Sequence, residues 1–543
     1  MPRNARLLQY LKQRLSLAPL GPSLEQAREW MREWTPEMDK SLLELLGAAG
    51  TKAKEEAMSG RVADTLNPWC CRLTRAEAKF QQQCLAAVPA ESLHIRAAFL
   101  LRLNDRVERV LPVIDLASTQ EDTLGWQLRE MNHLVLPHMK NAVLEAALAV
   151  TQGPGDGVAV TLDNMKSMTS RDRGERDLAS SQCVFAQAYR QLRETEPKRL
   201  RTVWDGERIF QINFVGEDGV DAGGVFREGM SRMVEDLFSP DFDLLIQCPN
   251  GRQAIGQNNE KFVPNPQHSS PLALSMLRFV GRLMGLSLRT RLCLPFQLPG
   301  MIWKRMLGLH VGFEDLRMVD TIICQFITAI NTCEEDGLTS DEEFRDKYGE
   351  RLFFTYTGSD GVERELAPGG SARRVTLHNR WTFCRMVEQV RTHEFDAQAA
   401  AMAEGLSDIV PMKVLRLFTA GQLEIAVAGE PKFDMEFWKE HTDYKGYRPD
   451  ETTVELFWKV MESLSCEDQS GFVRFAWGRS RLPPKAFWRV NMKLLRRNTS
   501  EESLPVSHTC FFSVELPPYS TEERMRKGLL TAIHFGMGGI LNA

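Results

Sequence analysis

Cys510 sits in the segment SLPVSHTCFFSVELPPYSTEERM, residues 503–525. A thiolate is a strong nucleophile, and a free thiol with a pKa of about 8.5 supplies a few per cent of it at neutral pH. His508 lies two residues upstream. If the loop is locally extended, the two side chains project to the same side, and the imidazole could raise the thiolate fraction. No acid–base dyad is spelled out nearby. That suits a thiol exchanging thioesters, because the substrate is already activated and the leaving group is itself a thiolate. The plain alternative is that a cysteine beside aromatics is a small buried hydrophobe and His508 a loop residue.

The elements that must position this thiol are legible around it. Phe512, Val514 and Leu516 alternate with Phe511, Ser513 and Glu515, a strand pattern starting just after Cys510. Pro517 and Pro518 end it. Ser520 followed by Glu523 reads as a capping box, and the next helix should turn Met525, Leu529, Ala532 and Ile533 inward. Upstream, Val454, Phe457, Trp458, Met461 and Leu464 form one helical stripe, which reads as core. HTDYKGYRPDETT, with its Gly and Pro, reads as a hinge. Gly281 and Gly285, at i and i+4 of an apolar helix, predict close approach of another element. RIFQINFVGED alternates like a strand, and RLFFTYTG and RRVTLHN read as short strands. Residues 1–150 look helical, with a Thr cap at TPEMDKSLLELLGAAG and Ile95, Phe99, Leu100 and Leu103 on one face. TQGPGDGV, residues 151–158, breaks that pattern.

The chain has 543 residues, 43% hydrophobic and 26% charged, with a net charge of −5. That is an ordinary globular composition of three or four folding units, without the field that would favour nucleic acid. Its eleven cysteines are scattered, which fits a reducing compartment. The absence of Cys-x-x-Cys and His-Glu-x-x-His patterns gives no support for a metal. GEDGVDAGG lacks the Lys-Ser/Thr of a phosphate loop, so no cofactor is expected. The longest apolar runs fall short of the roughly 18 residues that span a bilayer. The acid-free start, MPRNARLLQYLKQRLSLAPL, reads as a surface helix, a cut end or an organelle presequence.

LPVSHTCF, followed by Leu516, Pro517, Tyr519 and Ser520, resembles the acceptor-cysteine loop of HECT-type ubiquitin ligases. Further matches occur in the family's order. They are VDAGGVFRE (Asp221, Gly223, Gly224, Glu228), LRFVGRLMG with LPFQLPGMIWKRMLG, FTAGQLEIAVAG, YKGY at the interlobe hinge, and FVRFAWGRSRLP as a strand and loop before the thiol. They cover roughly residues 185–543. The Trp-Gly-Arg-Ser-Arg variant and VFAQAYRQL look most like the large HERC group.

The resemblance implies an α+β, bilobal HECT catalytic domain behind an α-helical extension. Its expected boundaries are a helical extension at 1–150, a lead-in at 151–184 and an N-lobe at 185–443. A small subdomain binding the conjugating enzyme is expected at about 313–378, a hinge at 444–449 and a C-lobe at 450–543. Implied partners are a ubiquitin-conjugating enzyme, ubiquitin and protein substrates, without nucleic acid or membrane span. Cys510 would carry a glycyl thioester, supported by His508 and Thr509, and pass ubiquitin to a substrate lysine. Ile323, Ile327, Ile330, Leu352, Phe353 and Phe354 would form the docking groove, with a helix-in-core reading open for the isoleucines. The expected setting is the cytoplasm, with the nucleus as alternative, and proteasomal degradation as a fate of the substrate. Three positions depart from the family pattern. Ile540 stands at the usual near-terminal Phe, Phe512 at the common Asn, and Gly229 where an aromatic often follows the Glu. A catalytically inactive scaffold and a cysteine deubiquitinase remain the rival readings.

Overall fold

The computed structural model describes residues 34–35, 38–43, 90–154, 157–174, 177–203, 208–216, 224–335, 337–430, 433–478, 481–483, 488 and 490–536. The basic N-terminal stretch, Asp221, Gly223 and the tail with Ile540 lie outside the described residues, as do the side chains of Ile95, Cys510 and Phe535. The chain divides into two compact units. One runs to Val150 and takes in Lys413–Thr419; the other holds Thr151–Met412 and Ala420 onward.

The first unit is helical in its described residues. Thr35 Oγ1 accepts the Met38 N–H at 3.3 Å, the cap its sequence predicts. Helices α1 (Ala90–Val110) and α2 (Pro137–Val150) follow, with Phe99, Leu100 and Leu103 of α1 buried. Asn104 is buried because its amide is fully used. It donates to the carbonyls of Leu100 (2.8 Å) and Leu134 (3.0 Å) and accepts the Leu136 N–H (2.7 Å).

The second unit mixes helices and small sheets. β1 (Ala159–Leu162) pairs in parallel with β2 (Gln211–Phe214). Ile212 and Phe214 face inward and Gln211 and Asn213 outward, as the alternation predicts. Helices α3 (Val184–Leu192) and α4 (Gly224–Leu237) pack near this pair, and β3 (Leu245–Gln247) pairs antiparallel with β4 (Phe262–Pro264). The centre is α5 (Pro271–Thr290), whose composition is long and apolar enough for a membrane crossing. Here it is a core helix, with Arg282 and Arg289 buried in it. A Cβ at Gly281 would fall 1.9 Å from the Met402 carbonyl oxygen. Only glycine allows this contact with the helix Asp396–Ile409, which is the close approach expected from the Gly pair.

The small subdomain holds α6 (Thr321–Asn331), α7 (Asp341–Tyr348), the antiparallel pair β5 (Thr355–Thr357) and β6 (Glu363–Glu365), and α8 (Arg380–Thr392). Ile327, Ile330, Phe344, Phe354, Phe383 and Val387 are among the residues that share its core. The segment RRVTLHN forms no strand; only Arg374 makes an isolated bridge, to Phe353.

The C-terminal part has its own core, drawn from residues 438–533. Its sheet has the order β7-β8-β10-β9, from Thr442–Lys445, Met492–Arg496, Ser513–Leu516 and Val506–His508. β7, β8 and β10 are parallel, and β9 runs antiparallel to β10. Helices α9 (Met435–Glu440), α10 (Thr452–Ser463), α11 (Cys466–Trp477) and α12 (Glu522–Gly536) belong to this part. The predicted stripe of α10 and the inward face of α12 are buried as expected.

Three expectations are corrected here. The segment 444–449 is not a free hinge. Tyr444 and Lys445 belong to β7, and Tyr447 is buried with its hydroxyl donating to the Leu516 carbonyl at 2.8 Å. Arg496 Nε donates to the Gly446 carbonyl at 2.7 Å. A segment with these bonds moves with its sheet. FVRFAW is the end of helix α11 and not a strand. Ser520 does not cap α12; it hydrogen-bonds Glu501, and Thr521 Oγ1 accepts the Arg524 N–H at 3.4 Å instead.

Candidate functional site

Cys510 lies in the four-residue connection between β9 and β10, where His508 pairs with Ser513. Its backbone is part of a 3-10 turn, Thr509–Phe511. The chain therefore curls after His508, and the extended backbone that would point His508 and Cys510 the same way is not present. β10 is an interior strand of the sheet, so this loop is anchored by a buried strand.

The two phenylalanines after Cys510 have opposite fates. Phe511 is 66% exposed, while Phe512 is fully buried. Phe512 adopts φ 46°, ψ 56°, the left-handed region, which costs a non-glycine residue about 1–2 kcal/mol. Its ring stacks on Trp477 of α11, with centroids 4.1 Å apart and planes 8° from parallel. Its carbonyl accepts the Lys493 N–H of β8 at 2.9 Å. The strained residue is thus held from both sides, and it fixes the exit of the thiol's turn.

His508 is exposed, and its Nε2 lies 3.0 Å from the Glu515 carboxylate across the β9–β10 pair. A carboxylate can only accept, so this contact calls for a hydrogen on Nε2. Glu515 was not singled out by sequence. The two-residue register between His508 and Glu515 across the hairpin is the signal that finds it. Thr509 is half-buried, and its carbonyl accepts a bond from Arg227 Nη1 at 3.2 Å.

Three other thiols are poor nucleophiles by environment. Burial pushes Cys183, Cys324 and Cys384 up to about 12, keeping them as thiols at neutral pH. Cys466 is exposed. Among the described residues no group of three or more His, Cys, Asp or Glu could hold a metal.

The six expected docking residues divide. Ile327, Ile330 and Phe354 are buried in the small subdomain's own core, so their helical spacing is packing and they are withdrawn as contact residues. Phe354 is sealed further by the Arg373 guanidinium, 3.9 Å from its ring centre. Ile323, Leu352 and Phe353 remain half-buried. The other side of α6 carries Ile322, 42% exposed, with half-buried Phe326 and Ala329 at i+4 and i+7, Phe326 also packing against the subdomain core and edge-on to Tyr348. Sequence reasoning missed Ile322 and Phe326 because the apolar face of TIICQFITAI, opposite Thr321, Gln325 and Thr328, is wide enough to hold two stripes. The helix is held firmly. Asp320 caps it by accepting the Ile323 N–H at 3.1 Å and also accepts from Arg391 at 2.9 Å. Arg391 reaches on to Thr357 O (2.6 Å) and Ser359 Oγ (3.0 Å).

The sequence model of the HECT domain (ubiquitin-transferase) matches residues 231–540. The chain is 32% identical over 473 residues to the E3 ubiquitin-protein ligase HERC2 of Mus musculus, across 85% of this chain and 10% of that protein. It is 26% identical over 558 residues to the probable E3 ubiquitin-protein ligase HECTD4 of Homo sapiens, across 94% of this chain and 14% of the relative. To the E3 ubiquitin-protein ligase RSP5 of Emericella nidulans it is 30% identical over 346 residues, 62% and 40% of the two chains. The chain spans about a tenth of the length of the HERC2 relatives it matches.

Proposed function

Because the chain belongs to the HECT-domain (ubiquitin-transferase) family, we propose that it is a ubiquitin-protein ligase working through a thioester on Cys510. In the first step the Cys510 thiolate attacks the carbonyl carbon of the ubiquitin terminus held on a conjugating enzyme. The carbon–sulfur bond to that enzyme breaks, and its cysteine leaves as thiolate. In the second step a substrate lysine amine attacks the new thioester. An isopeptide bond forms, Cys510 leaves as thiolate, and the amine gives up its proton. His508, oriented by Glu515, is the group on this chain suited to take it, directly or through water.

The observation that supports this reading is the position of Cys510 in the connection between β9 and β10, beside exposed Phe511 and the buried, stacked Phe512. A reactive acceptor must be reachable by a protein-sized donor yet held still. Ile322 and Phe326 of α6, with the half-buried Ile323, Leu352 and Phe353, are the proposed conjugating-enzyme contacts. Among the described residues no disulfide joins two cysteines, which suits a reducing setting such as the cytoplasm or nucleus.

The test mixes the chain with ubiquitin-charged conjugating enzymes and resolves products without reductant. The expected product is a ubiquitin adduct that reductant removes, lost in Cys510→Ala and retained in Cys466→Ser. An adduct retained in Cys510→Ala, or none with any conjugating enzyme, overturns the proposal; the latter outcome favours the inactive scaffold. The His508–Glu515 pair also fits a cysteine hydrolase, the second reading, and release of free ubiquitin from chains would favour it.

A further inference from the structure

Helix α4 touches the C-terminal part at two points. Arg227, in its first turn and largely buried, donates from Nη1 to the Thr509 carbonyl at 3.2 Å. Glu235, eight residues on and so about 12 Å along the axis, pairs with Arg474 of α11 at 2.7 Å. The Thr509 carbonyl belongs to the peptide group that joins directly to Cys510. Arg474 lies three residues before Trp477, the ring that clamps Phe512. The two contacts therefore meet the thiol's turn and the helix that braces it.

We propose that Arg227 is a positioning residue for the second transfer, holding the loaded Cys510 turn while the lysine attacks, with Glu235–Arg474 as the second point of the same latch. This rests on the thioester reading above. The two steps differ in what orients the reacting carbonyl. During loading, the conjugating enzyme presents it from its own folded site. During discharge the acceptor is a mobile lysine, and this chain must hold the thioester still. The lysine nitrogen bonds to the carbonyl carbon, the carbon–Sγ bond breaks and Sγ departs with the electron pair. A turn free to rock spreads that carbon over several positions and lowers the fraction in line with the amine. The anchor's effect falls on this step.

The experiment is a single-turnover one on the full chain. The thioester is formed, the conjugating enzyme is inactivated, and discharge to free lysine is followed. Arg227→Ala should load within about twofold of the parent and discharge about tenfold more slowly, the loss of one charge-assisted hydrogen bond. Arg227→Lys should recover part of that rate. Glu235→Arg and Arg474→Glu should each slow discharge by about two- to fivefold, the range of a partly exposed pair. The doubly reversed chain should return to within about twofold of the parent. A role in folding alone would slow both steps and would not respond to charge reversal. Unchanged discharge in Arg227→Ala, equal slowing of both steps, or no recovery in the reversed pair overturns the inference. Should Arg227→Ala fail to fold by circular dichroism, Arg227→Lys and the reversed pair decide. Loss of the thioester reading shows separately, as an adduct that survives Cys510→Ala.

Discussion

Replacing Phe512 by Asn tests how the thiol's turn is held. Asn is the residue common at this place in the family and tolerates the left-handed region, so family pattern alone predicts a neutral or favourable change. The structure predicts the opposite. Asn relieves about 1 kcal/mol of backbone strain. It forfeits about 1.5–3 kcal/mol of ring burial and about 0.5–1.5 kcal/mol from the stacked pair with Trp477. It also places an amide in a site built for a ring, at about 1–3 kcal/mol if unpaired. The net result is a destabilisation of about 2–6 kcal/mol. Urea unfolding of the parent and variant chains, read with hydrogen exchange across β8 and β10, measures it. A cycle with Trp477→Ala should show a coupling of about 1 kcal/mol. A Phe512→Asn chain as stable as the parent, or a coupling near zero, would refute the reasoning.

Two further outcomes follow from burial. Ile322→Ala with Phe326→Ala should impair loading by the conjugating enzyme more than tenfold while shifting stability by about 1–2 kcal/mol, whereas Ile330→Ala should cost about 2–4 kcal/mol of stability; loading kinetics beside thermal unfolding separate the two. Lys140 is fully buried and donates to the Asn132 carbonyl, and burial lowers its pKa from 10.5 to about 7. The unfolded chain then binds more protons than the folded one between about pH 7 and 10.5, so on this residue's account the first unit gains stability as pH rises, by about 1.4 kcal/mol per pH unit. Lys140→Met should flatten that dependence, and urea midpoints at pH 7 and 8.5 that move equally in both chains would refute it.

The sequence revealed most where one period decides the matter. Alternation set β10, and the 3.6-residue stripe set the buried faces of α10 and α12. The Gly281–Gly285 spacing announced the contact with Met402. It failed where local composition and tertiary bonding disagree. YKGYRPDETT has turn chemistry throughout, yet Gly446 and Tyr447 are tied into the sheet by Arg496 and Leu516, bonds between residues fifty and more apart. Likewise α6 is apolar over most of its circumference, with Thr321, Gln325 and Thr328 as its polar stripe. Periodicity then marks a helix and its polar side, but nothing local separates Ile327 and Ile330 from Ile322 and Phe326 within so wide an apolar face.

The departures from the family pattern are better understood as pairs than as single losses. Phe512 stands where Asn is common, and the Trp477 of the Trp-Gly-Arg-Ser-Arg variant is the ring it stacks on. Each explains the other, since an unpaired Phe in that backbone conformation would be strained without return. Gly229 is accounted for in the same way. A Cβ there would lie 2.5 Å from Ile212 Cδ1, so a larger residue would have to push the Ile212 side chain aside while α4 lies this close to β2. That close seat fixes the helix bearing both Arg227 and Glu235. The missing side chain at Gly229 therefore bears on where the latch meets Thr509. Enlarging it should disturb discharge through α4 without touching Cys510.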